Sequence, residues 1–236
     1  MSFLKLITKF ERRDLLIAWL ALSCAFTLVF SRLRIGADIG NISVQLILIN
    51  LAVALIVVAV SFIFHEMAHK YTAIHFGYWA EFRKSTPMLL VSLAIAVITG
   101  FVFAAPGATL INTAGREMTK KENGIISVAG PVSNLILSIP FIILMIAGII
   151  TGGATAAVAS TGFIWSLTPQ GFCFYLGYTG LMVNAMLALF NMIPAGPLDG
   201  KKILKWNPIA FAVVLILAIL IVALSINPQS LFGLFA

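Results

Sequence analysis

Residues 62–69 read Phe-Ile-Phe-His-Glu-Met-Ala-His and close a long apolar run that begins near Leu46. Side chains four apart share one helix face, so His65 and His69 can aim two imidazoles at a single metal ion. Glu66 sits beside them, placed to take a proton from an attacking water. The stretch Leu46–Phe64 is long enough to enter a bilayer, where a charged side chain is costly to place. The chain has three histidines, and two of them lie in this motif. An isolated histidine usually has a structural role. A histidine pair around a glutamate at membrane depth points to metal chemistry instead.

A catalytic zinc usually takes three protein ligands and keeps one position for water. Glu11, Asp14, Asp38, Glu81, Glu117 and Glu122 lie in polar segments and are expected to be solvated. The two other acids, Glu66 and Asp199, sit at the ends of long apolar runs. Asp199 follows Asn191-Met-Ile-Pro194-Ala-Gly-Pro197-Leu198, where two prolines forbid a regular helix. Such an irregular stretch can direct a side chain at a metal. An Asp before Gly is also an ordinary cap or turn residue, but the cost of an acid at membrane depth favours the ligand. His75, six residues past His69, is turned off the motif face and reads as interfacial. Gly130-Pro131-Val-Ser-Asn134 can project an amide into a helix bundle, with an interhelical hydrogen bond as its other role. Asn191 carries the same two readings. Cys24 and Cys173 show neither disulfide nor metal spacing and read as small buried hydrophobes.

These residues need elements to hold them, and composition says which. The 236 residues are 61% hydrophobic and 10% charged, with a mean hydropathy of +1.08. An ordinary soluble domain carries about 25% charged residues, so the expected fold is an all-α polytopic membrane protein. One integral-membrane domain over 1–236 is expected, multi-pass in the cell membrane, with the lipid bilayer as its surroundings. The net charge of +7 is spread over small loop clusters and marks topology rather than nucleic-acid binding.

Full spans are expected at Asp14–Phe30, from Leu46 through the motif to Gly77, and at Gly124–Ile150, Phe172–Met192 and Pro208–Ile226. Pro87–Gly100 is apolar but short. Phe101–Ile111 has β-branched and aromatic residues around a Pro-Gly turn signal. If Pro87–Ile111 enters the membrane and returns, thirteen Lys and Arg face the cytosol, and Arg32 and Arg34 alone lie outside. A full sixth crossing would put Lys201, Lys202 and Lys205 outside. The positive-inside rule therefore favours five spans plus one re-entrant half-helix and strand, with the N-terminus and the active-site opening cytosolic.

Three motifs in this order, His65-Glu66-x-x-His69, Gly130-Pro131-x-x-Asn134 and Asn191-x-x-Pro194-x-x-Pro197-Leu198-Asp199-Gly200, resemble the site-2 protease family of intramembrane zinc metalloproteases. The resemblance implies one Zn²⁺ held by His65, His69 and Asp199, with Glu66 as catalytic acid/base and Asn134 helping to polarise the substrate carbonyl. It implies hydrolysis of peptide bonds in or near transmembrane segments of a membrane-protein substrate, as in regulated intramembrane proteolysis. An extended segment between the first two motifs faces substrate in that family, matching Phe101–Ile111. The chain departs from many relatives in having apolar Pro87–Gly100 before that segment, and in leaving no room for a PDZ or nucleotide-sensing domain. A prenyl-protein type protease would want a later Glu ligand, but Glu81, Glu117 and Glu122 lie in polar loops. A zinc hydrolase of a non-protein substrate would use the same donors. A metal transporter gives no reason for Glu66.

Overall fold

The computed structural model describes residues 7–36, 43–103, 105–152 and 168–226. The chain divides into two compact units, residues 1–122 and 123–236. Among the described residues five helices are long and apolar enough to cross a membrane, and the sheet is a single two-stranded ribbon. This is a polytopic, all-α membrane protein.

In the first unit α1 (Lys9–Phe30) starts at Thr8, whose hydroxyl accepts the Glu11 N–H at 3.1 Å. It buries Leu15, Ala18, Leu22, Ala25 and Phe26 at helical spacing. Next come α2 (Val44–Val58), a π-helical turn (Ala59–Ile63) and α3 (Phe64–His75). Together they form one 32-residue helix, about 48 Å long at 1.5 Å per residue and longer than the roughly 30 Å hydrocarbon core. Trp19 of α1 donates its indole N–H to the Leu55 carbonyl at 2.9 Å, just before the π turn.

Strand β1 (Trp79–Lys84) pairs antiparallel with β2 (Gly107–Asn112), in a register running from Trp79 opposite Asn112 to Lys84 opposite Gly107. This ladder settles the path of the intervening chain. Residues 85 and 106 are joined by a hydrogen bond from Ser85 N–H to the Pro106 carbonyl, 2.8 Å, so the chain leaves the ribbon and returns to the same place. Between them α4 (Thr86–Thr99) has 14 residues, about 21 Å, too short to cross. It ends at Gly100, whose φ of +73° is the left-handed stop that glycine allows. The Ser92 hydroxyl donates to the Phe103 carbonyl, holding the returning chain against the helix. The excursion is re-entrant. Pro106 has no N–H to give, and the ladder starts at the residue after it.

Helix α5 (Lys120–Ile150) opens at the boundary between the units. It begins with a capping box: Glu122 N–H donates to the Thr119 hydroxyl, and Thr119 N–H donates to the Glu122 carboxylate. The second unit continues with α6 (Pro169–Asn191), the short α7 (Asp199–Trp206) and α8 (Pro208–Ile226). Met192, Ile203 and Val214 form a buried cluster, with Val128, Val132 and Leu135 of α5 packed against it. Helices α5 and α6 approach closely because α6 presents glycine at the crossing. A Cβ on Gly177 would lie 2.3 Å from Met145 N and 2.7 Å from Phe141 O. Those are backbone atoms and cannot swing aside, so Gly177→Ala forces the helices apart. We expect a loss of about 1–3 kcal/mol, read as a lowered unfolding midpoint in detergent.

Three expectations are corrected. Glu11, Asp14 and Glu81 are buried, not solvated. Arg13 and Arg83 pair with Asp14 and Glu81 within their own elements, and each acid also has a partner from a distant segment: Lys70 for Glu11, Arg83 for Asp14 and Thr8 for Glu81. Cys24 is exposed on α1 and Cys173 is half-buried, so neither is a buried hydrophobe. Asp199 follows an irregular turn but is itself the first residue of α7. Asp38 and most of the uncharged 151–171 stretch lie outside the described residues.

Candidate metal centre

The helix that carries His65, Glu66 and His69 is shaped by the π turn just before Phe64. A π turn adds one residue to a helical turn, which rotates all that follows by about 100° relative to an unbroken α-helix. The turn therefore sets which way α3 presents its side chains. His65, Glu66 and His69 are all buried. The two Nε2 atoms lie 3.0 Å apart, and the rings meet edge to face, 84° between planes. His75 is exposed near the end of the same helix, consistent with an interfacial residue.

The pair fits a metal. Nitrogens bound about 2.0–2.1 Å from one zinc at a tetrahedral angle sit roughly 3.3 Å apart, close to the separation seen. Beside the pair, Glu66 Oε2 accepts the Thr109 hydroxyl of β2 at 2.9 Å, and the same hydroxyl is 3.4 Å from the Glu66 backbone carbonyl.

One residue on, Lys70 turns into protein. Its ammonium pairs with Glu11, and both side chains are almost wholly enclosed, at 1% and 0% exposure. Glu11 Oε1 also accepts the Phe82 N–H of β1 at 3.1 Å. A second set of charges ties the start of α1 to β1. The Thr8 hydroxyl donates to Glu81, Arg83 Nη2 is 3.2 Å from Glu81, and Arg83 Nη1 is 3.9 Å from Asp14.

In the second unit, α6 ends at Asn191, whose amide donates back to the Leu187 carbonyl of its own helix at 3.0 Å. The chain then turns through Pro194, Gly196 (φ +55°) and Pro197 into α7. Asp199 is buried there, with Lys202 Nζ 3.8 Å from its Oδ1. Gly200 must be glycine, because a Cβ would lie 2.2 Å from the Met192 carbonyl oxygen. That close approach fixes the turn carrying Asp199. Asn134 is fully buried on α5 and donates Nδ2–H to Asn184 Oδ1 of α6 at 3.0 Å, while Asn184 donates to the Gly180 carbonyl at 2.8 Å. The interhelical hydrogen bond expected as one role of Asn134 is thus made.

A profile described as Peptidase family M50 matches residues 53–207. The chain belongs to the M50, or site-2 protease, family. Two relatives share the name "Putative zinc metalloprotease". MJ0611 of Methanocaldococcus jannaschii is 36% identical over 162 residues, 69% of this chain and 74% of that protein. YwhC of Bacillus subtilis is 30% identical over 159 residues, 64% of this chain and 66% of that protein. No solved structure matches the chain. With five membrane-length helices among the described residues, the protein is a multi-pass membrane metalloprotease with zinc as its cofactor.

Sequence reasoning did not single out Thr109, Lys70, Glu11 or Asn184. A lysine directly after the second motif histidine, at the end of an apolar run, was a usable signal. It must either reach the interface or find a buried acid.

Proposed function

We propose that the protein hydrolyses peptide bonds in or beside transmembrane segments of membrane-protein substrates, as in regulated intramembrane proteolysis. His65, His69 and Asp199 hold one zinc ion, Glu66 is the acid/base and Asn134 is an oxyanion donor. The observation that carries this reading is the buried His65–His69 pair, 3.0 Å between Nε2 atoms, with Glu66 beside it near the end of a membrane-length helix. Each of the three ligands is buried and offers one donor atom, and two imidazoles plus a carboxylate form a catalytic zinc set.

Bound zinc supplies Lewis acidity, polarising the scissile carbonyl and lowering the pKa of water at the site. Glu66 takes a proton from the attacking water and returns it to the leaving amine. An amide has two N–H donors, and Asn184 accepts from Asn134. That bond fixes the orientation of the Asn134 amide, the group this reading assigns to the oxyanion. A substrate helix hides its carbonyls in its own hydrogen bonds and must unwind. Strand β2 has β1 as its partner in the two-stranded ribbon, and its other edge takes the unwound segment by strand addition. The N-terminus and the opening to the site face the cytosol, a reading supported by the thirteen Lys and Arg that this topology places inside.

The test is zinc content and cleavage on protein purified in detergent. Wild type should hold about one zinc per chain and cut a transmembrane peptide, but neither a lipid ester nor a soluble peptide. Asp199→Ala should weaken zinc by more than the roughly 10- to 100-fold that losing an outer-shell partner brings, and abolish cleavage. Full zinc occupancy in Asp199→Ala, titrated with a competing chelator, removes Asp199 from the ligand set.

A further inference from the structure

Glu66 and Lys70 are one helical turn apart on α3, and Thr109 and Phe82 face each other across the β1–β2 ladder. These four residues join helix and ribbon at two heights. At one, Lys70 pairs with Glu11, whose other oxygen accepts Phe82 N–H. At the other, the Thr109 hydroxyl donates to Glu66 Oε2 at 2.9 Å. The first connection is ionic, enclosed and indifferent to chemistry. The second is a single hydroxyl resting on the carboxylate that moves the proton.

Resting on the assignment of Glu66 as acid/base, we propose that Thr109 is a positioning residue that aims the Glu66 carboxylate and couples it to β2. A carboxylate has two oxygens and turns freely about its last bond unless something holds it. Thr109 engages Oε2 and leaves Oε1 to take the proton. Its β-branched side chain is stiff about χ1, so the hydroxyl follows the backbone of β2. The strand whose free edge receives an extended substrate therefore also sets the aim of the base. A seated substrate strand steadies β2, and with it Glu66.

The experiment compares steady-state cleavage of a transmembrane peptide and zinc content for wild type, Thr109→Val, Thr109→Ser and Glu66→Gln. Valine keeps the shape of threonine and removes the hydroxyl. A hydrogen bond to a charged group implies that Thr109→Val lowers kcat about 10- to 100-fold, with KM and zinc content unchanged. Thr109→Ser restores kcat, and Thr109→Val adds no loss on top of Glu66→Gln. A merely structural role would instead lower zinc content or the unfolding midpoint. Wild-type kcat in Thr109→Val, a loss confined to KM or zinc, or no rescue by serine overturns the proposal. The two readings fail separately. A fully active Glu66→Gln removes the acid/base assignment, whereas an inactive Glu66→Gln beside a fully active Thr109→Val removes the positioning role alone.

Discussion

Glu66→Gln is expected to lose peptide cleavage by a factor of about 10² to 10⁴, the range a positioned acid/base contributes, while keeping its zinc. Glutamine has nearly the shape of glutamate and can still accept the Thr109 hydroxyl through its amide oxygen. The packing around α3 and the His65–His69 pair therefore stays as it is. What is lost is basicity, because an amide cannot take a proton from water near neutral pH. Steady-state cleavage of a transmembrane peptide, with metal content measured on the same preparation, reads both quantities. Loss of zinc together with activity would mean that Glu66 acts in holding the metal. Full activity with full zinc would mean that the proton passes elsewhere.

Lys70→Met should cost about 3–5 kcal/mol of stability, the usual consequence of stranding one partner of a buried ion pair. For a protein whose total stability is of the order of 5–15 kcal/mol, this is a large fraction. The abandoned group is Glu11, fully enclosed, whose charge has no route to water. The double variant Glu11→Gln/Lys70→Met should recover most of the loss. It removes both charges and leaves an amide oxygen to accept Phe82 N–H, the bond that ties α1 to β1. Unfolding midpoints in a denaturing-detergent titration of wild type, both single variants and the double variant close the cycle. A single variant as stable as wild type would show that the pair is solvated and not structural. Zinc content should follow stability here, since Lys70 is the residue after His69 and its pairing fixes how α3 meets the ribbon.

These two predictions draw on information of different kinds. His65-Glu66-x-x-His69 was readable directly, because a four-residue spacing places donors on one helix face whatever surrounds them. The spans were readable because hydropathy accumulates over about twenty residues. The re-entrant path was readable from Lys and Arg alone, and the Lys84–Gly107 register gives an independent reason for it. Strand β1 was not readable as a strand. Trp-Ala-Glu-Phe-Arg-Lys lacks an apolar alternation, and its burial follows from α1 and α3 packing on it rather than from its pattern. The π turn before His65 left no trace in the sequence, since a slip of one hydrogen bond among apolar residues is decided by packing.

The sequence by itself determined the membrane class, the five membrane-length helices found among the described residues, and the placing of His65, Glu66 and His69 on one helix. All of these depend on residue type and near-neighbour spacing. Only the tertiary structure decided which acids are buried, which strand pairs with the returning chain, and what holds Glu66. Glu11 meets Lys70 across 59 positions, Phe82 N–H meets Glu11 across 71, and Thr109 meets Glu66 across 43. A charged residue in a basic, polar stretch looks solvated until a distant segment closes over it. Local composition carries no record of that closure, because the partner is chosen by the path of the whole chain.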